Sequence, residues 1–226
     1  MDKKSLAHNL HTIEEQIKKN LDDQADEPTI VAVSKYTDAY NVRRLHDLGI
    51  DNFGENRPDV FLEKYEALSD IRNDLKWHYI GNLQRRPVKK IINKIDYLHS
   101  LDRLSLVKEI QKRAEQPIKC FVQVNVSGEE SKSGFAPDAL LEAIEIMSEY
   151  DRIQIIGLMT MTPHDANADD IRRYFNELKY LQETVQDKHY KNAPCTELSM
   201  GMSHDYPIAV SVGASYIRLG TAFFHE

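Results

Sequence analysis

The sequence predicts an α/β protein: one (β/α)8 barrel of the TIM type, with an additional helix at its N-terminus, spanning residues 1–226 as a single domain. Three observations carry this. Eight short segments rich in apolar and β-branched residues read as strands, a segment with helical character separates each from the next, and nearly every strand segment ends in small, polar or charged residues. Such alternation calls for a parallel sheet wound by helices. Eight units in 226 residues favour closure into a barrel over a doubly wound open sheet, which usually has fewer strands.

Leu6, Leu10, Ile13, Ile17 and Leu21 recur at spacings of three and four, which makes 4–21 an amphipathic helix. A strand over 29–34 follows, then a helix over 38–48 that Gly49 stops, as glycine suits a helix C-terminus. A short strand over 51–53 runs into Gly54-Glu55-Asn56, and a helix resumes near Pro58. A third strand spans 76–80. The helix over 86–92 carries Pro87 in its first turn, where a missing N–H does no harm. A strand over 95–98 precedes a helix within SLDRLSLVKEIQKRAEQ, with Ser100 or Asp102 available as a cap. The strong strand over 118–126 opens the loop SGEESKSGF. A helix over 137–149, a strand over 153–159, the loop TPHDANA and a long helix over 169–187 follow. A strand over 197–200, a helix over 206–212 and a strand over 216–219 complete the alternation.

Composition narrows the partners. A net charge of −7 gives no general electrostatic help toward nucleic acid, so none is expected as a partner. Arg85, Arg86, Lys89 and Lys90 form a local basic cluster that reads as a solvated helix face. Cys120 and Cys195 match neither a metal spacing nor a disulfide framework. The charged, helical N-terminus lacks the apolar core of a signal peptide, and no run approaches the ~20 apolar residues of a membrane span. A cytoplasmic protein without a membrane partner is expected. No large apolar stripe demands a partner chain, so a monomer is expected as well.

In such a barrel the chemistry gathers at the C-terminal ends of the strands. The first strand, TIVAVSKY, delivers Lys35 to that end. The seventh delivers SMGMSHD, in which Ser199, Met200, Gly201, Met202 and Ser203 lead into a helix whose free N–H groups suit an anion. The eighth delivers Arg218, then Gly220 and Thr221, a close-approach glycine and a hydroxyl. Barrels often hold phosphate between their seventh and eighth strands. An amine facing such a cradle would hold a phosphorylated aldehyde at both ends, covalently through Lys35 as a Schiff base and electrostatically through the loops. Pyridoxal 5′-phosphate (PLP) fits that description. Arg218 is the candidate for the pyridine nitrogen. A barrel that binds another phosphorylated metabolite without covalent chemistry is the bland alternative.

The blocks VAVSKY, FGENRPDVFLEKYE, WHYIGNLQ, HSLDR, VQVNVSGEESKSGF, IIGLMTM, LSMGMSHDY and IRLGTAFF occur in an order that resembles the pyridoxal phosphate homeostasis family, which is similar to the N-terminal barrel of alanine racemase. The resemblance covers essentially the whole chain. It implies PLP as the cofactor and Lys35 as the Schiff-base lysine. It also implies Ser199, Ser203, Gly220 and Thr221 around the phosphate, Arg218 near the ring nitrogen, and Asn56, His78 and Met159 lining the ring pocket. The implied role is to buffer or deliver PLP, with apo forms of PLP-dependent enzymes as receivers and an influence on amino-acid and keto-acid balance. No catalytic residue is assigned, and no metal.

This sequence departs from the family pattern in places. Arg85-Arg86-Pro87 stands where an Asn-Lys pair is common, Asn82 where proline or histidine is frequent, His204 where an acidic residue is usual, and the tail reads FFHE. A PLP-dependent racemase is the alternative reading. It needs a second acid/base group, which alanine racemases draw from a tyrosine in a dimer that includes an additional β-domain. No such domain is expected after the eighth strand here. Tyr36 should face away from the site, because successive strand residues alternate, which leaves His78 as the one candidate for that base. Lys132 reads as a solvated loop lysine balancing Glu129 and Glu130.

Overall fold

A computed structural model describes residues 2–130 and 132–224; Ser131 of the SKSGF block and the His225-Glu226 end of the tail lie outside them. Eight parallel strands pair in chain order, and the eighth closes on the first through Thr29↔Tyr216 to Ala32↔Leu219. The strands are β1 (Thr29–Val33), β2 (Asn52–Glu55), β3 (Lys76–Tyr79), β4 (Tyr97–Leu101), β5 (Ile118–Gln123), β6 (Ile153–Met159), β7 (Glu197–Ser199) and β8 (Tyr216–Leu219). The helices are α1 (Lys3–Asn20), α2 (Ala39–His46), α3 (Pro58–Ala67), α4 (Arg85–Ile91), α5 (Leu104–Arg113), α6 (Leu140–Met147), α7 (Ala168–Gln186), α8 (Tyr206–Val212) and α9 (Thr221–Phe224), and a 3-10 turn, Pro137–Ala139, leads into α6.

The extra helix at the front is docked. Asp2 caps α1 by accepting from the Ser5 N–H at 2.7 Å. Leu6, Leu10, Ile13 and Ile17 are buried, and the helix packs on α8 and α9. Asn9 donates to the Phe223 carbonyl at 2.8 Å, so α1 holds the turn that follows β8.

Alternation along each strand separates two cores. Outward residues such as Phe53, Trp77, Tyr79 and Ile217 join one apolar layer with the helices. Trp77 meets Phe53 and Phe61 with ring centroids 6.0 and 5.4 Å away. Inside the barrel the apolar set is small: Phe121, Ile156 and Met159, with Tyr97 and Tyr216 against them. Val31 and Val33 of β1 also face inward, and Asn52, His78, His99, Ser199 and Arg218 supply a polar set among them.

β1, β3 and β7 stop one residue before the expected ends, and β2 runs over Asn52–Glu55 rather than 51–53; β4 and β5 differ more. β4 runs from Tyr97 to Leu101 rather than over 95–98, so His99 and Ser100 are strand residues, not loop residues. β5 ends at Gln123. Beyond it the chain folds back, the Phe135 N–H donating to Gln123 and the Asn125 N–H to Phe135, so the loop takes over the edge that an extension to 126 would need. Helix α9 has no counterpart among the expected elements.

Candidate functional site

The strand ends open on a cleft of about 410 Å³ lined by Ile80, Asn82, Gln123, Lys132, Met161 and Met202 among others. Lys35 lies on the first turn after β1 and is not among the residues that line this cleft. Val31 and Val33 face the interior, their methyl groups 3.2 and 3.5 Å from where a Cβ on Gly54 would sit. Lys35 has the same parity two residues on. Its Nζ rests 4.7 Å from the centre of the Tyr36 ring, which is 84% exposed.

β8 is the neighbour of β1. Ala32 pairs with Leu219, and a Cβ on Gly220 would lie 3.5 Å from that of Val33, so the loop after β8 starts next to the strand that delivers Lys35. The loops after β7 and β8 are stitched together: Ser203 Oγ accepts from the N–H groups of Gly220 at 3.2 Å and Ala222 at 3.1 Å. The Arg218 N–H donates to the Gly201 carbonyl at 2.9 Å. Gly201 has φ +99°, a left-handed backbone, and a side chain there would meet Ala209 Cβ at 2.7 Å. Buried Asp205 holds the loop from within, accepting from the Met202 N–H and the Thr162 hydroxyl, both at 2.6 Å.

Beneath the mouth, Arg218 is buried to 4% exposure. Its Nη1 donates to Ser199 Oγ at 2.6 Å and its Nη2 to the Thr160 carbonyl at 3.0 Å. Burial lowers its pKa to about 10, so it stays cationic at neutral pH. Ser199 Oγ also lies 2.7 Å from His99 Nδ1; His99 Nε2 lies 2.8 Å from His78 Nδ1; His78 Nε2 lies 2.9 Å from Asn52 Oδ1. Both rings are buried. Burial pushes His78 down to about 3, and burial with His78 and Arg218 nearby holds His99 well below the usual imidazole range.

On the outer side of the same strand ends, Lys64 of α3 is buried. Its Nζ donates to Glu55 Oε1 and to the Ser34 carbonyl, both at 2.5 Å, and Ser34 Oγ donates to Glu55 Oε1 at 2.6 Å. The peptide that leads into Lys35 is thus held by an internal ion pair.

Of the expected site residues, Ser203, Gly220 and the Gly201 backbone are joined through the loops after β7 and β8, next to the end of β1 that leads to Lys35; Met202 lines the cleft and Arg218 is buried. Thr221 opens α9 and is exposed. Asn56 follows β2 and is half-buried; its carbonyl accepts from the Tyr79 hydroxyl at 3.0 Å. Four expected site residues lie inside the barrel or in the outer core. Ser199 turns its hydroxyl into the barrel, toward His99 and Arg218, because it shares the parity of inward Tyr216. Met200 has the opposite parity and packs in the outer core. His78 reaches toward the starts of the strands, stacked on Tyr97 at 4.3 Å and bonded to Asn52, with both ring nitrogens engaged, so it cannot serve as a second base at the mouth. Met159 is buried at the end of β6 against Phe121 and Ile156. Lys132 is no solvated lysine: it lines the cleft, its Nζ 3.4 Å from Glu129. The sequence places Glu55 and His99 at polar strand ends without a role for either, and does not mark Lys64. The inward parity of His99 with Tyr97 was the signal for one of them. Arg85, Arg86, Lys89 and Lys90 line a separate cleft of about 840 Å³ on the flank between α3, α4 and α5.

The chain matches the family model of the alanine racemase N-terminal domain over residues 1–226. It is 41% identical over 200 residues to the pyridoxal phosphate homeostasis protein of Aquifex aeolicus, spanning 87% of this chain and 86% of that one. It belongs to the pyridoxal phosphate homeostasis protein family. The family's Pseudomonas aeruginosa member is 32% identical over 226 residues, 97% of this chain and 95% of the relative. Among solved structures, PipY of Synechococcus elongatus PCC7942 with PLP bound has a TM-score of 0.85 at 31% identity, covering 97% of this chain and 99% of that one. Alanine racemase from Corynebacterium glutamicum shares the fold, with a TM-score of 0.75 at 15% identity; this chain spans 62% of it. No helix among the described residues is long and apolar enough to cross a membrane.

Proposed function

We propose that this chain holds PLP at the barrel mouth and serves PLP homeostasis by buffering it or passing it on to apo enzymes. Lys35 would hold the aldehyde through its amine, as a Schiff base formed with loss of water. The loops joined by Ser203 would hold the phosphate, and Arg218 would face the ring. The observation that carries this is adjacency. The strand that presents Lys35 pairs with the strand that leads to Gly220 and Thr221, so an amine and an anion cradle flank one opening. The donor set fits the group: an amine for the aldehyde, hydroxyls and backbone for the phosphate, and a fixed cation for the ring.

The test is a purified sample with PLP added, then borohydride. The protein should be yellow, and mass spectrometry after reduction should place a pyridoxyl group on the peptide containing Lys35. Lys35→Ala should lose the adduct and keep its circular dichroism. A wild-type protein that stays colourless defeats the reading. A holding role further expects slow chemistry. With common amino acids in D₂O, α-proton exchange at about 1 s⁻¹ or faster would assign an enzyme instead.

A further inference from the structure

We propose that Asn52, His78, His99 and Ser199 form a one-way chain of hydrogen bonds that pins the Arg218 guanidinium, which makes His99 and Ser199 positioning residues for the cationic floor of the site. The proposal rests on the PLP-holding reading only for what that floor meets.

The direction of the chain follows from its ends. A guanidinium only donates, so Ser199 Oγ accepts from Nη1 at 2.6 Å. The Ser199 hydrogen then goes to the one other partner its hydroxyl has among the described residues, His99 Nδ1 at 2.7 Å. That ring must carry its hydrogen on Nε2, which donates to His78 Nδ1 at 2.8 Å. His78 in turn carries its hydrogen on Nε2 and donates to Asn52 Oδ1 at 2.9 Å, a carbonyl that only accepts. The opposite direction would bring two donors onto Ser199 and leave its own hydrogen buried without a partner, which is costly.

The rings are clamped as well as bonded. His99 stacks on Phe121 at 4.4 Å and His78 on Tyr97 at 4.3 Å, with Tyr216 6.2 and 6.0 Å from the two. The titratable groups that face them are each other, Tyr97, Tyr216 and, through Ser199, Arg218; a second proton on either ring would reverse one link and bring another cation toward Arg218. The chain is therefore neutral and fixed in one tautomeric state. With Nη2 held by the Thr160 carbonyl, the guanidinium is anchored at both ends of its fork.

Two measurements separate this from the reading it rests on. In ¹⁵N-histidine-labelled protein without ligand, NMR should show His78 and His99 as Nε2–H tautomers that do not titrate between about pH 5.5 and 8.5, a range centred near the free imidazole pKa. An Nδ1–H tautomer or a doubly protonated ring at either position overturns the chain. Ser199→Ala should free the His99 tautomer and weaken PLP binding about tenfold, the loss of one hydrogen bond to a charged group, while the Lys35 adduct still forms; Ser199→Thr should restore both. If Ser199→Ala binds PLP as tightly as wild type, the positioning role falls. If wild type forms no adduct at all, the PLP reading falls while the tautomers still decide the chain.

Discussion

Two imidazoles stand inside this barrel where branched aliphatic residues usually fill the layers. Their burial has a consequence for acid stability. Both are held below the free imidazole value, His78 at about 3, so the unfolded chain takes up protons near pH 6.5 while the folded one does not. For His78 the resulting contribution to stability is complete above that point and is lost as pH falls toward 3, at about 1.4 kcal/mol per pH unit. His99 adds a loss of the same sign. Urea unfolding followed from about pH 6 to 4 should show a slope shallower by that amount in His78→Phe than in wild type. Equal slopes would mean that the ring is not buried neutral. At this scale the sequence exposed Lys35, Arg218 and Ser203, because unusual residues at strand ends stand out. It showed His99 only as a polar strand end and not as an interior residue, since the apolar run ends at Leu98 and the polar residues after it resemble a loop.

Between elements, the Lys64–Glu55 pair joins α3 to β2 and to the last peptide of β1. Removing one charge leaves the other buried without compensation, which costs about 3–5 kcal/mol. Lys64→Met should therefore lower the urea midpoint sharply, and adding Glu55→Gln should recover much of the loss. A Lys64→Met protein as stable as wild type would show that the pair is hydrated. No local pattern marks this pair. The two residues lie nine apart, on a strand and a helix whose packing is a tertiary fact. The element types were legible throughout, since spacing carries them. Where elements end was less so: the loop past β5 competes for the strand edge, and α9 depends on α1 covering it.

For the whole molecule, charge is unevenly placed. A chain of net −7 carries Arg85, Arg86, Lys89 and Lys90 around one flank cleft, away from the mouth. Among the described residues no carboxylate lies within ion-pair distance of these four. Lys89→Gln with Lys90→Gln should change stability by no more than about 0.5 kcal/mol and leave the yield of the Lys35 adduct unchanged. A lost adduct would tie the flank to the mouth. Barrel closure was readable from the count of alternating units. Which inward residues meet across the interior was not, because strand register and bulges such as those in β4 and β5 decide it.

The wall of this barrel has two faces with different duties. The helix-facing side, with Phe53, Trp77, Tyr79 and Ile217, secures the architecture, while the lumen holds mostly hydrogen-bonded side chains. Because the lumen side chains are bonded to one another, they can change only as a set that leaves every buried donor and acceptor paired. The same shell could then be refurnished for other carbonyl or anionic cargoes, by selection or by a protein engineer.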